Sequence, residues 1–225
     1  MEIKPIAHIR TDFPEKFGIP RQSGLVEELS ARIVFEPEYR NADALRGLDG
    51  FSHLWLIWDF SEVPHDGWTP TVRPPRLGGN KRVGVFATRS PFRPNPLGLS
   101  VVRFGKIDTV SKDAPVIEVF GADLMDGTPI FDIKPYLPYV DSKPDARNGF
   151  ALAQSDGVLR VVFPERLKSK VPENKFGALT EVLSQDPRPQ YQNDPERVYT
   201  MSFAGLEISF SVDGGTLTVT NIRTK

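Results

Sequence analysis

The stretch LGLSVVRFGKIDTVSKDAPVIEVFGADLMDGTPIFDIKPYL, residues 97–137, decides the fold. Three apolar segments follow one another in it, at 97–107, 114–124 and 129–137, and each is bounded by glycine, proline or aspartate. No helical pattern separates them, so they predict the closely spaced strands of a barrel or sandwich rather than alternating strands and helices.

Further strands are predicted on both sides of this stretch. Upstream, Ile3 to Ile9 predicts a first strand, 25–35 fits a strand pair or a short helix with strand favoured, 42–51 predicts a helical turn, and HLWLIWDF at 53–60 predicts a central strand buried on both faces. Residues 67–82 are too rich in proline for regular structure, and VGVFAT at 83–88 predicts a strand.

The C-terminal part of the chain predicts a small α+β unit. Its elements are a strand at 157–163, a helix near 172–185 with Pro172 near its start, and strands at 198–204, 206–212 and 216–222. Apolar periodicity lapses around 142–154. We therefore expect a β-barrel domain at 1–142, a linker at 143–156 and an α+β domain at 157–225.

Composition excludes several classes of function. The 225 residues are 39% hydrophobic and include no cysteine, which excludes disulfides, thiolate zinc sites and cysteine nucleophiles. The three histidines match no metal-binding spacing, so we predict no metal. No apolar run reaches the roughly 20 residues that span a bilayer, and the N-terminal residues do not resemble a signal peptide. We expect a cytoplasmic protein without a membrane partner.

Charge is unevenly distributed along the chain. The net charge is −1, but no acidic residue lies between Asp66 and Asp108, and eight basic residues do. They are Arg73, Arg76, Lys81, Arg82, Arg89, Arg93, Arg103 and Lys106. This segment predicts an anionic partner at one face of the molecule, and the alternative is a solvated loop that is basic for no functional reason.

A stiff loop, FATRSPFRPNP at 86–96, lies within this basic segment. Three prolines hold Ser90, Arg93 and Asn95 in extended conformations. The loop would present Arg89 and Arg93 to a carboxylate or a phosphate. The alternative is that the prolines seal one end of a barrel and the arginines pair with nearby acids.

Carboxylates recur near the predicted strand ends, at Asp123, Asp126, Asp132 and Asp141. Asp126 precedes Gly127 and fits a hairpin turn, but it could also bind ribose hydroxyls or an amino group. The segment DPRPQY, 186–191, places Arg188 between two prolines after the predicted helix. The sequence contains no Walker loop, no G-x-G-x-x-G and no G-x-S-x-G.

Five separated segments together resemble the TrmO family, whose members are also called TsaA-like or YaeB-like. They are KFGIPRQSG (16–24), FSHLW (51–55), TVRPPRLGGNKRVGVFATRSPFRPNPLGLS (71–100), DLMDGTPIFDIKPYLPY (123–139) and DPRPQY (186–191). The resemblance implies a barrel, not a Rossmann fold, that binds S-adenosylmethionine in a homodimer. It also implies methylation of the exocyclic amine of threonylcarbamoyladenosine beside the tRNA anticodon.

The resemblance also assigns roles to residues of this chain. Those expected to contact S-adenosylmethionine are Pro20, Arg21, Gln22, Ser52, His53, Arg89, Arg93, Asp123, Leu124, Met125 and Asp126. For catalysis we expect Asp126 or Asp186 to accept a proton, and Tyr136 or Tyr191 to stack an everted base. Contacts to the anticodon stem-loop are expected from Arg73, Arg76, Lys81, Arg82, Lys134 and Arg188.

Two other functions stay open on the sequence alone. One is a non-catalytic RNA-binding or adaptor protein that senses S-adenosylmethionine through the same pocket. The other is an enzyme that uses S-adenosylmethionine on a small molecule, with the basic segment at a dimer interface. The segment 142–176 shares little with the family, which leaves the choice of tRNA open.

Overall fold

The computed structural model describes residues 2–63, 67–77, 80–150, 158–189 and 194–225, except for the side chain of Arg76. The part of the predicted linker at 151–156 and the aromatic residue Tyr191 lie outside the described residues.

The described residues of the N-terminal part form eight strands. They are β1 (Ala7–Arg10), β2 (Ser30–Phe35), β3 (His53–Asp59), β4 (Thr71–Val72), β5 (Val83–Gly84), β6 (Leu97–Asp108), β7 (Val116–Phe120) and β8 (Pro129–Pro135). Six of them close into a barrel in the order β1-β2-β7-β6-β3-β8, and every neighbouring pair is antiparallel. The mainly β architecture predicted from the sequence is confirmed.

The barrel interior is filled by residues that alternate along each strand. Leu54, Leu56 and Trp58 of β3 point inward and are buried, whereas Trp55 and Ile57 face outward and are only half-buried. The prediction that β3 is buried on both faces is therefore wrong. The outward side chains are apolar too, so the apolar run hides the period of two that a barrel strand imposes.

Strands β4 and β5 form a two-stranded ribbon within the basic segment. Thr71 pairs with Gly84 and Val72 pairs with Val83. Residues 67–82 were expected to be irregular throughout, and 83–88 to be a strand. Both expectations are corrected, since β4 lies in the first segment and a short 3-10 helix (Val85–Ala87) follows the two residues of β5.

Among the described residues after β8, the chain forms one further sheet and three α-helices. After α1 (Pro138–Asp141) the chain forms β9 (Arg160–Val162), α2 (Glu165–Lys168), α3 (Glu173–Ser184), β10 (Tyr199–Phe203), β11 (Leu206–Asp213) and β12 (Thr216–Thr224). The sheet order is β10-β11-β12-β9. The long helix and the last two strands were predicted from the sequence. No helix in the described ranges has the length and apolar character needed to cross a membrane.

Residues of the N-terminal part pack into the C-terminal core. Phe13 is 1% exposed and its ring meets that of Phe203 edge-on, with centroids 5.3 Å apart. Asp12 accepts a hydrogen bond from the Ala204 amide (2.8 Å) and pairs with Lys175 (2.6 Å) through a largely buried side chain. These contacts join the segment after β1 to α3 and to the end of β10.

Gly98 creates the space that positions Trp58. The two residues are paired across β3 and β6, and a Cβ atom at position 98 would overlap the indole ring. A small residue is therefore required at this inward position of β6.

Gly98→Ala is expected to lower the free energy of unfolding by about 1–3 kcal/mol, because the added methyl group must displace Trp58 from a packed core. Urea unfolding followed by circular dichroism measures the change. Gly50→Ala is the matched control, since a Cβ at position 50 meets no atom within 4 Å. Equal stability of the two variants would show that Trp58 is not confined by Gly98.

Candidate active site

Three loops that carry predicted site residues meet at one end of the barrel. The Arg89 guanidinium donates a hydrogen bond to the side-chain oxygen of Gln22. The Ser23 amide lies close enough to the carboxylate of Asp123 to lower its pKa. Residues from the segments 20–24, 86–96 and 121–126 are thus neighbours, as the sequence comparison with the family implied.

A buried chain of hydrogen bonds fixes Asp123. Trp58 Nε1 donates to Ser100 Oγ (3.0 Å), and Ser100 Oγ donates to Asp123 Oδ1 (2.6 Å). Because the hydroxyl has a single proton, donating it to Asp123 leaves a lone pair for the indole N–H. Ser100 is 2% exposed, so both bonds are shielded from water.

Burial raises the pKa of Asp123 above its ordinary value. The hydrogen bond from Ser100 is the largest opposing effect, followed by bonds from the backbone amides of Asp123 and Ser23 and by the positive charge of Arg89. A positive charge or further hydrogen-bond donors stabilise a carboxylate in this environment, so Asp123 is suited to bind a ligand that carries either.

The two arginines of the proline-rich loop have different roles in the structure. Arg93 Nη1 donates to the carbonyl oxygens of Thr88 and Ser90, both at 3.0 Å, and the side chain is half-buried. Arg89 is exposed. In the described part of the chain neither forms an ion pair, so the alternative in which both pair with acids is not what the structure shows. Arg93 holds the loop that presents Arg89.

The residues Ser52 and His53 lie on the outer face of the barrel beside the same segment 20–24. Ser52 Oγ and His53 Nδ1 are 2.9 Å apart, and the amide of Tyr136 donates to the His53 carbonyl (3.0 Å). His53 lines a cavity of about 220 Å³ with Ser23 and Gly24. Tyr136 and His53, which the sequence separates by more than eighty positions, are therefore adjacent.

A second cavity, of about 210 Å³, lies beside Asp123. Its lining includes Trp58, Pro91, Asp123 and Met125. Leu124 also borders it but is 1% exposed and packs in the barrel core, and Pro20 is buried. Side chains at 20 and 124 thus shape the site, while Met125 is half-buried beside it.

Both carboxylates predicted as proton acceptors already have partners. Asp126 accepts from the Thr11 amide (3.0 Å) and lies 3.5 Å from Arg10, and Gly127 beside it has φ of 81°. Asp126 is thus a turn residue as well as a candidate base. Asp186 accepts two bonds from Arg188, each 2.9 Å long. Their catalytic role stays a prediction.

The residues predicted to contact tRNA differ in their exposure and in their partners. Arg73, Lys81 and Arg82 are exposed at the ribbon, and Lys134 is exposed but paired with Asp132 at 2.8 Å. Arg188 is only 9% exposed, because its side chain folds back onto Asp186, and its Nη1 atom is buried without a hydrogen-bond partner among the described residues. Arg21 Nη2 donates to the Asp186 carbonyl (3.2 Å), which ties this turn to the segment 20–24.

Family models match most of the chain. The model for the N-terminal domain of tRNA-methyltransferase O matches residues 8–142, and that for the TrmO C-terminal domain matches residues 157–225. The chain belongs to the TrmO family. The resemblance seen in the five sequence segments is thereby confirmed.

Relatives and solved structures of TrmO agree with this assignment. An Escherichia coli protein named tRNA (adenine(37)-N6)-methyltransferase is 44% identical over 87% of this chain and 85% of its own length. An Eikenella corrodens protein of the same name is 48% identical over 73% of this chain and 93% of its own. A crystal structure of TrmO from Pseudomonas aeruginosa superposes with a TM-score of 0.82 at 33% identity, covering 100% of this chain and 97% of that one.

Sequence reasoning missed Trp58, Ser100 and Ser23 as parts of this TrmO site. One signal was available for Ser100. In LGLSVV the positions 98, 100 and 102 share one face of the strand, and a hydroxyl on an inward face must find a buried partner. Among the described residues no group of three His, Asp or Glu side chains could hold a metal ion, and the absence of a metal stays a prediction.

The raised pKa of Asp123 predicts a pH-dependent stability. The folded protein binds this proton more tightly than the unfolded chain, whose ordinary value is 3.8. The stabilisation from protonating Asp123 is complete below 3.8 and is lost as pH rises through the folded pKa. Relative to Asp123→Asn, the wild type should therefore lose stability as pH rises through this window.

Chemical denaturation of both proteins across the acidic range measures this difference. Asp213→Asn, at an exposed hairpin position, is the control and should show no such trend. A wild type that gains stability over Asp123→Asn with rising pH would contradict the prediction, because the hydrogen bonds and Arg89 would then outweigh burial.

Proposed function

We propose that this TrmO family member transfers a methyl group from S-adenosylmethionine to N6 of adenosine 37 in tRNA, and that the acceptor is the N6-threonylcarbamoyl form of that nucleoside. The names of the relatives support the position and the atom. The cluster of Gln22, Arg89 and Asp123 at the barrel end carries the proposal structurally, since it joins three segments shared with the family.

The residue types in this cluster fit S-adenosylmethionine. The exposed Arg89 guanidinium suits a carboxylate, and the Asp123 carboxylate suits an amino group or ribose hydroxyls. Gln22 offers a side-chain amide beside Arg89, and His53, whose Nδ1 lies 2.9 Å from Ser52 Oγ, borders the cavity that Ser23 also lines. When bound, the cofactor supplies a methyl group on a positively charged sulfur.

The chain's own contribution is chiefly to align the reactants and exclude water. Methyl transfer to an amine needs no covalent nucleophile. Holding two reactants in position can lower the activation free energy by roughly 7–11 kcal/mol. Pro91, Pro94 and Pro96, together with the two hydrogen bonds from Arg93, restrict the loop that carries Arg89. We assign this alignment to the loop.

The proton released by the amine passes to Asp126 or Asp186 in this proposal. Each carboxylate would have to exchange a present partner, Arg10 or Arg188, for the acceptor amine. Tyr136, beside His53, offers an aromatic face to an everted base. Arg188 positions Asp186 here, because it is buried against that carboxylate.

The tRNA is expected to lie on the basic side of the barrel, with phosphates near Arg73, Lys81 and Arg82 and with Lys134 near the anticodon stem-loop. The tRNA substrate implies a cytoplasmic reaction. We also propose a homodimer. The outer face of β6 exposes apolar side chains, with Leu97 38% and Leu99 55% exposed, and a second copy would bury them.

The acceptor is tested with purified protein, S-adenosylmethionine and two tRNA preparations that differ only in the threonylcarbamoyl group. Nucleoside mass spectrometry should find the methylated product only in the modified tRNA. Methylation of the unmodified adenosine would contradict the proposed acceptor. Cofactor binding without methylation of either tRNA would favour a sensor or adaptor over an enzyme.

Arg89→Ala is expected to weaken S-adenosylmethionine binding by roughly 10- to 150-fold, the range for losing a hydrogen bond to a charged group. Because Arg89 is exposed, the thermal midpoint should stay unchanged. Isothermal calorimetry measures the affinity. Arg82→Ala is the matched control, an exposed arginine bonded to Thr71 on the ribbon. Equal losses in both variants would place the cofactor elsewhere.

A further inference from the structure

The ribbon of β4 and β5 carries an exposed pair of aromatic rings. Trp68 is 49% exposed and Phe86 is 72% exposed, and their rings are nearly parallel, with centroids 6.2 Å apart and an interplanar angle of 23°. Large aromatic side chains are rarely left in water together without a binding role. We name Trp68 and Phe86 the aromatic pair.

Backbone hydrogen bonds hold the aromatic pair in place. The Thr69 amide donates to the Phe92 carbonyl (3.2 Å), and the Val85 amide donates to the Pro70 carbonyl (3.0 Å). The Arg93 guanidinium lies 5.9 Å from the centre of the Phe86 ring. The same arginine holds the loop that carries Arg89, so the aromatic pair and the cofactor loop share one support.

Basic residues flank the opposite end of the ribbon. Thr71 pairs with Gly84 and Val72 with Val83, so the residues before Thr71 and after Gly84 lie at one end. Arg73 and Arg82 lie at the other end, next to Lys81, and all three are exposed. None of the three forms an ion pair with a residue that the structure describes. The aromatic pair and the three basic residues thus lie at opposite ends of one short ribbon.

We propose that the aromatic pair is a stacking platform for an unpaired base of the anticodon loop, with Arg73, Lys81 and Arg82 contacting the neighbouring phosphates. Single-stranded nucleic acid is bound by this combination, because every base has a face that stacks and every nucleotide a phosphate. The inference rests on the proposed function and deepens it by naming where the loop docks.

A second copy of the chain fits this surface less well. In a symmetric contact the ribbon of one copy would pack against the ribbon of the other. Arg73, Lys81 and Arg82 of one copy would then lie close to the same three residues of the second copy. The segment between Asp66 and Asp108 has no acidic residue to compensate them. The charge of the ribbon therefore favours an RNA occupant.

The test measures binding of an anticodon stem-loop RNA that carries N6-threonylcarbamoyladenosine, by fluorescence anisotropy at several salt concentrations. Trp68→Ala should weaken binding roughly 5- to 150-fold, the range for losing one stacked base, with an unchanged salt dependence. Phe86→Leu keeps the apolar surface but loses the aromatic face and should weaken binding in the same direction. Arg82→Ala should instead reduce the salt dependence.

Tyr139→Ala is the matched control, because Tyr139 is an aromatic residue 82% exposed at another site. It should bind the RNA as the wild type does. Trp68→Ala should also keep the wild-type affinity for S-adenosylmethionine and the wild-type mass in sedimentation.

Unchanged RNA binding by Trp68→Ala, or a loss no greater than that of Tyr139→Ala, would overturn the platform alone. A changed oligomeric state in Trp68→Ala would overturn it in favour of a subunit contact. Failure of the wild type to bind the stem-loop would overturn the tRNA acceptor and the platform with it, which separates the two failures.

Discussion

The carboxylate of Asp123 is partly buried, and withdrawing a carboxylate from water is costly unless hydrogen bonds hold it. In this chain the bonds come from inside the barrel, since Trp58 bonds Ser100 and Ser100 bonds Asp123 over 3.0 and 2.6 Å. This series of hydrogen bonds depends on Gly98, because a glycine at that position leaves room for the indole ring of Trp58. The packing between β3 and β6 therefore determines the position of the Asp123 carboxylate at the end of the barrel.

The loops around Asp123 depend on this fixed point. The Ser23 amide lies close enough to lower the pKa of the same carboxylate, and its neighbour Gln22 accepts a hydrogen bond from Arg89. Arg93 and the prolines stiffen the loop of Arg89 from the other side. Arg21 extends the arrangement to the turn at Asp186, so that a site built on the barrel is linked to the C-terminal part of the chain.

The sequence was sufficient to predict the strands, the long helix and the segments that meet at the site. Alternation and turn residues specify strands locally, and Pro172 marks the start of α3. It was insufficient for β3, because Trp55 and Ile57 are as apolar as their inward neighbours.

The roles of the arginines could not be distinguished from the sequence either. Arg89, Arg93 and Arg188 share one side-chain chemistry, and only the fold decides which one faces solvent, which binds carbonyl oxygens and which is buried on a carboxylate.

We infer that the hydrogen bonds from the barrel interior hold Asp123 in the cofactor site. A crystal structure of the protein with bound S-adenosylhomocysteine tests this most directly. We predict that the ligand contacts both Arg89 and Asp123 while Ser100 keeps its bonds to Trp58 and Asp123. A ligand bound away from the segments 20–24 and 121–126, or a site in which Ser100 has released Asp123, would contradict the account.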